Sequence, residues 1–284
     1  MTDPGYLALY ENGDLDQRIE TAWGTLAHCE LCPHRCGADR LSGEQGICRT
    51  GIMPKVSSWT GRFRFCQNYP ISQFGYGKAV EPQQLAGMML ELQRKGAHNI
   101  NFVTPTHVMP HILTALPTAI RGGLCVPLVY NTSGYERVEA LRLLEGIVDL
   151  WLPDAKYADN STARRLSGFR DYVEYNRAAL QEIYRQVGEE LVLDRNGIAI
   201  RGLIIRHMVL PGGLAGTAEV LHWIADQLSP RIHVSMMDQY FPAHRAIGDP
   251  CLGRTITANE YLAALQAFDD CGLERGWQQH ATEQ

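Results

Sequence analysis

Four cysteines crowd into HCELCPHRCGADRLSGEQGIC near the start of the chain: Cys29, Cys32, Cys36 and Cys48, spaced C-x2-C-x3-C-x11-C. Pro33, Gly37, Gly43 and Gly46 lie between them and permit the tight turns of a metal knuckle, so four thiolates can fold round one ion. A sulfur tetrahedron suits Zn²⁺ or an iron–sulfur cluster, and this spacing does not separate the two. Free thiols in a loop are the plainer alternative, and the crowding argues against it. A further cysteine, Cys66 in SSWTGRFRFCQNYPISQ, has no thiol or histidine near enough in sequence to share a metal. Cys125 and Cys271 stand in apolar contexts and read as buried thiols. Cys251, in a Gly-Asp-Pro-Cys loop, reads as exposed and carries no assigned role.

Other polar candidates sit at the ends of short apolar runs. Asp154 and Lys156 are two apart on an extended segment, so both point to one face, where they can pair and orient an anion or form a plain structural ion pair. Arg206 and His207 are adjacent in a strand, so at most one faces the interior of a barrel. Arg206 is the partner for a carboxylate, and an outward His207 reads as a satisfied core histidine. Pro211-Gly212-Gly213 precedes a helix and offers backbone N–H groups to an anion, although a plain turn is the stronger reading. His107 and His111 are four apart, but Pro110 between them makes a helical metal pair doubtful. Asp238 and Tyr240 close the last strand and are candidates to face substrate.

The elements that must carry these residues alternate. Apolar runs bounded by turn residues occur at Ala97–Thr106, Cys125–Gly134, Val148–Tyr157, Gly202–Gly213 and Arg231–Pro242, and read as five buried parallel strands. Helices are expected at Glu81–Lys95, with Leu85, Met88, Met89 and Leu92 on one face, and at Met109–Arg121, Tyr135–Glu145, Thr217–Leu228 and Ala258–Cys271. Two more fit within Ser161–Gly188. Alternation of this kind implies right-handed βαβ units and an α/β fold. Polar clusters at every strand's C-terminal end favour a barrel over an open doubly wound sheet. The domains expected are residues 1–58, irregular and bearing the cysteine knuckle, and residues 59–284, the barrel.

Bulk properties narrow the classes. With 45% hydrophobic and 20% charged residues, the 284-residue chain is composed like a soluble globular protein. The net charge is -5 and no Lys/Arg block stands out, which argues against nucleic acid or an anionic membrane surface as partner. The N-terminal stretch is acidic without an apolar core, so no signal peptide is expected there. No apolar run approaches a membrane span. A cytoplasmic, reducing compartment is expected, where cysteines serve metals or catalysis before disulfides. A dinucleotide-dependent oxidoreductase is disfavoured, because no G-x-G-x-x-G follows a strand.

Taken in order, CELCPHRCGADRLSGEQGIC, FCQNY, NFVTPTHVMPHI, VYNTSGYE, VDLWLPDAKY and RHMVLPGG resemble the radical SAM proteins related to the pyruvate formate-lyase activating enzyme, over about Cys29 to Arg275. The resemblance implies a partial (β/α)6 barrel whose mouth holds a [4Fe-4S] cluster on three cysteines spaced C-x3-C-x2-C. It implies S-adenosylmethionine on the fourth iron, an electron donor, and reductive cleavage to a 5′-deoxyadenosyl radical. That radical abstracts hydrogen, in the activating enzymes from a glycyl radical enzyme as protein partner. It would place Thr104, Thr106, His107, Asn131, Ser133, Asp154, Lys156 and Arg206 around the adenosyl cofactor. Thr-Pro-Thr-His stands where the family has Gly-Gly-Glu.

The resemblance breaks at the cluster. If Cys66 is the last of the three cysteines, the others belong at positions 63 and 59, which hold Phe63 and Trp59. Neither ligates iron. The apolar first strand and its upstream linker are also missing, as if a block had been lost between Trp59 and Arg64. Cys66 then reads as the surviving member of a trio and the chain as impaired. The competing class is a non-catalytic barrel with a metal knuckle, serving as a binding module.

Overall fold

Strands and helices alternate as the apolar runs predict. A computed structural model describes residues 3–56, 77–242 and 246–278. Cys66, Trp59 and Phe63 therefore lie outside the described residues. The chain divides into two units, Met1–Asn131 with Glu139–Asp149, and Thr132–Val138 with Leu150–Gln284.

The first unit opens with two helices, α1 (Gly5–Glu11) and α2 (Asp14–Gly24). This corrects the reading of residues up to Ser58 as irregular. Asp14 and Asp16 sit in the first turn of α2, where carboxylates meet the positive end of the helix dipole, and the Asn12 side chain accepts from Asp14 N at 3.0 Å. Tyr6, Leu15 and Ala22 anchor the pair in the core. Helices this short carry too few apolar repeats to be read by periodicity alone. Beyond the cysteine loop, β1 (Lys55–Val56) pairs antiparallel with β2 (Lys78–Ala79). Helix α3 (Pro82–Arg94) starts on a capping box of Glu81 and Gln84. Strand β3 (Ile100–Val103) runs parallel to β4 (Leu128–Thr132), with Ile100 opposite Leu128. Helix α4 (Met109–Arg121) lies between them in sequence and buries Met109, Ile112, Leu113 and Leu116. Helix α5 (Val138–Leu143) is shorter than the sequence pattern suggests. The buried carboxylate of Asp149 ties the unit together, accepting from Gly5 N at 3.0 Å and Leu128 N at 2.9 Å.

The second unit contains β5 (Leu150–Pro153), α6 (Asn160–Ser167), α7 (Tyr172–Val187), β6 (Val192–Leu193), β7 (Ala199–Met208), α8 (Thr217–Gln227), β8 (His233–Met237), α9 (Ala258–Asp270) and β9 (Arg275–Gln278). β5, β7, β8 and β9 lie side by side in that order, all parallel, and β6 adds antiparallel to β7. The sequence reading found the five long strands and missed β9, whose Arg-Gly-Trp-Gln has no apolar run and is held by its ladder to β8. The protein is thus α/β with parallel strands in both units, and no closed barrel forms among the described residues. No helix among them is long and apolar enough to cross a membrane.

Along β7 the side chains alternate. Leu203, Ile205 and His207 are buried, while Ile204, Arg206 and Met208 on the other face are half-buried. His207 is the satisfied core histidine that the sequence suggests. Its Nδ1 lies 2.6 Å from the Ala155 carbonyl oxygen and its Nε2 2.9 Å from Thr217 Oγ1. A carbonyl only accepts, so Nδ1 carries the proton and Nε2 accepts from the threonine hydroxyl. Burial pushes the His207 pKa down to about 4, against a smaller upward pull from the Ala155 hydrogen bond and Asp154.

That shift sets a pH dependence. Between about pH 4 and 6.5 the unfolded chain binds a proton at this position that the folded chain refuses, so stability rises with pH there and is complete above it. Chemical denaturation should show up to about 3 kcal/mol lost as pH falls through this window. In His207→Gln that part of the slope should vanish.

Candidate functional site

The strand-end residues of the second unit form a charged cluster built by the parallel register. Asp154, just past β5, bridges to Arg206 on β7, and Ala155 N donates to the Arg206 carbonyl oxygen at 2.8 Å. Parallel partners present side chains to the same face, so carboxylate and guanidinium meet, with Arg206 Nη2 2.5 Å from Asp154 Oδ1. Lys156, two residues on, returns to that face and places Nζ 2.5 Å from Oδ2. The pairings of Asp154 with Lys156 and of Arg206 with a carboxylate are therefore present as read from the sequence.

Asp154 is 6% exposed, whereas the Lys156 and Arg206 side chains keep 30% and 26% of their surface open. One carboxylate between two cations leaves a positive charge over. The Arg206 Nη2 contact is within ion-pair range but off the hydrogen-bonding direction, and Arg206 Nε is a buried donor with no acceptor among the described residues. A buried guanidinium donor left without an acceptor costs free energy until a ligand oxygen meets it. Asp154 Oδ1 is likewise buried without a hydrogen-bond partner, so the cluster offers an outside ligand both a donor and an acceptor.

Two residues that the sequence reading missed hold the loops in place. Tyr172 Oη lies 3.0 Å from the Ser133 carbonyl oxygen, lies 3.3 Å from that of Asp154, and accepts from Lys156 N at 2.9 Å. Asn176 Nδ2 donates to the carbonyls of Gly134 at 3.1 Å and Asp154 at 2.9 Å. Their signal was present: Tyr172, Asn176, Ala179 and Ile183 follow a helical stripe, and an asparagine in a buried stripe needs partners. Gly134 admits this arrangement. Its φ is 71°, and a Cβ there would stand 2.2 Å from both Asn176 Nδ2 and the Asp154 carbonyl oxygen. Ser133 offers its backbone to this network, and burial pushes the Tyr172 phenol well above its ordinary range.

In the first unit, Thr104, Thr106, His107 and Asn131 follow the ends of β3 and β4. Thr104 takes a left-handed φ of 51°, while its N–H donates to the Asn131 carbonyl at 2.7 Å. A β-branched residue held there stores roughly 1–3 kcal/mol of strain, and such strain clusters at functional sites. Tyr130 Oη donates to Thr106 Oγ1 at 3.3 Å. Burial, with the Arg40 charge beside it, lowers the His107 pKa to about 4 against the upward pull of a hydrogen bond to the Thr104 backbone. His111 is buried in α4 against Trp23, at 4.9 Å between ring centres, with Nε2 on the Ile52 carbonyl. It is a core residue.

The cysteine loop turns on a buried arginine. Arg40 is fully buried, with Nε and Nη2 donating to the Gly51 carbonyl at 3.2 and 2.9 Å and Nη1 3.9 Å from Cys29 Sγ. Cys36 and Cys48 flank Gly46, their sulfurs 2.6 and 3.9 Å from where its Cβ would be. Among the described residues, no three metal-binding side chains come together. Trp59 and Phe63 stand where the resemblance expects two further ligands beside Cys66, and all three positions lie outside the described residues.

Two further expectations are revised. Cys125 is exposed and Cys271 half-buried, so neither is a buried thiol, whereas Cys251 is exposed as read. The Pro211-Gly212-Gly213 turn already holds an anion: Gly212 N donates to Glu260 Oε1 at 2.6 Å. Arg254, Thr257 and Gly212 together hold that carboxyl well below its usual range. Tyr240 donates to the Leu252 carbonyl at 2.9 Å and packs on the aromatic cluster of Tyr135, Tyr157 and Tyr172, while Asp238 is half-buried.

No family model matches the chain. It is 28% identical to an uncharacterized protein of Methanocaldococcus jannaschii, with 92% of this chain and 80% of that protein covered. The 296 aligned positions exceed the 284 residues of the whole chain, so the relative carries residues inside the matched span that this chain lacks. The fold is similar to the crystal structure of a radical SAM methyltransferase from Sphaerobacter thermophilus, with a TM-score of 0.45 and 11% identity over 72% of this chain. The chain spans 60% of the length of that structure.

Asp154→Ala should cost about 3 kcal/mol in urea unfolding, because two cations are left facing each other half-buried. Gly134→Ala combines a left-handed alanine with a clash against fixed backbone and should cost about 2–5 kcal/mol, read as a lowered Tm.

Proposed function

We propose that this chain is a radical SAM scaffold that keeps the adenosyl-cofactor cradle and has lost the cluster. The reading rests on the ordered motifs from Cys29 to Arg275 and on one observation above others: Asp154, Lys156 and Arg206 form an anion-receptive cluster with an unfilled buried donor. The amino-acid end of S-adenosylmethionine offers a carboxylate for that donor. Arg206 and Lys156 would bind it, Asp154 would fix their positions, and Tyr172 and Asn176 would keep the loop from moving.

The family chemistry is reductive cleavage of S-adenosylmethionine followed by hydrogen abstraction, in the activating enzymes from a protein partner and with an electron donor. No step of it is assigned to this chain, because the donor set does not hold the cluster. The relative carries residues within the matched span that this chain lacks, as a loss here or an insertion there would give. The cysteine knuckle belongs to the same proposal, as a site for Zn²⁺ or a second iron–sulfur cluster.

Titration calorimetry of S-adenosylmethionine against the whole chain tests the cradle. Binding is expected, and Arg206→Leu should weaken it at least tenfold, or about 1.4 kcal/mol. Absence of binding refutes the reading. Anaerobic reconstitution with iron and sulfide tests the loss: no 5′-deoxyadenosine is expected, and its catalytic release would show the site to be intact.

A further inference from the structure

The second unit carries a cleft of ≈ 520 Å³ lined by Asn160, Ser161, Arg164, Arg165, Arg170 and Asp171, none of them a strand-end residue. Arg164 and Arg165 lie on α6, and Arg170 and Asp171 lie on the turn into α7. All three arginines are exposed. Elsewhere in this unit Arg185 meets Glu182, Arg231 meets Glu189 and Glu190, Arg254 meets Glu260, and Arg275 meets Glu190, whereas Arg195 and Arg201 are exposed singly on the surface. Arg164 and Arg170 have no ion pair among the described residues.

The nearby carboxylates are already committed. Asp159 caps α6, accepting from Thr162 N at 2.9 Å and Ser161 Oγ at 2.5 Å. Glu174 accepts both hydrogen bonds from Asn160 Nδ2, at 3.0 and 2.8 Å. Asp249, whose charge is felt by Arg165, accepts from Cys251 N at 2.9 Å and Leu252 N at 2.8 Å. Asp171 alone stays in the cleft against three guanidinium groups.

The backbone beneath is fixed before any ligand arrives. Gly168 ends α6 in a left-handed conformation, with φ 70°. Phe169 then stacks on Tyr135 at 4.4 Å between ring centres, and Tyr135 Oη donates to the Arg170 carbonyl at 2.7 Å. Arg170 thus stands on a pinned turn, which lowers the ordering cost of binding.

We propose that this cleft binds the phosphate of a small phosphorylated molecule. Three guanidinium groups and one carboxylate line the cleft itself; Asp159, Glu174 and Asp249 beside it keep their charge, so the selectivity for phosphate rests on the guanidinium geometry and not on a net charge match. Guanidinium forks meet phosphate oxygens in pairs. The volume suits a metabolite-sized ligand.

Calorimetry with the full chain, inorganic phosphate and glycerol phosphate decides it, with acetate as control. Saturable binding at one site is expected, tighter at pH 8 than at pH 6 because the second phosphate ionisation lies near about 6. The double substitution Arg164→Ala and Arg170→Ala should weaken it at least tenfold with unchanged circular dichroism. Arg201→Ala, an exposed residue outside the cleft, should leave it unaltered. The proposal fails if phosphate shows no saturable heat up to about 10 mM, if acetate binds equally well, or if the double variant binds as the parent does.

Discussion

A carboxylate placed at the buried end of a strand must be matched by positive charge, and Asp154 imposes that demand on the second unit. Taking a charge out of water costs several kcal/mol unless opposite charge and hydrogen bonds surround it. The register of β5 on β7 brings Arg206 to one oxygen, and the two-residue period of the extended chain brings Lys156 to the other. Everything nearby serves to hold these strand ends. Tyr172 and Asn176 occupy the carbonyls that the loops leave open, and Gly134 surrenders its side chain to let Asn176 in. His207, one residue from Arg206, faces the opposite side and locks the Ala155 carbonyl from within the core.

Much of this was legible in the sequence because it follows from periods. Alternation in a strand puts Asp154 and Lys156 together and Arg206 and His207 apart, with no knowledge of the fold. The five long strands and the long helices likewise follow from apolar spacing. What escaped depends on distant partners. Strand β9 has no apolar signature and exists through its ladder to β8. Helices α1 and α2 are too short to show a period, and burial of Tyr6 and Leu15 makes them helices. Cys125 looked buried from its apolar neighbours, yet strand neighbours do not decide on which side of a turn a thiol emerges. The ligand at the Pro211 turn could not be read at all, since Glu260 lies 48 residues further on.

The scaffold and the donor set disagree, and the disagreement is chemical. The strand ends carry paired charges and, after β3, a threonine at left-handed φ. The metal donors do not match them. On the proposed reading, the aromatic side chains at positions 59 and 63, which offer iron no lone pair, would separate the scaffold from radical chemistry. Function resides in sites more than in folds.

Glu260 gives the second unit one more property. By seating its carboxylate on Gly212 while also closing the cap of α9, this side chain couples the loop after β7 to the start of the last helix. The molecule supplies its own counter-ion at this turn. Free phosphates or carboxylates in solution would have to displace a tethered competitor at that turn, whose effective concentration dilution cannot lower.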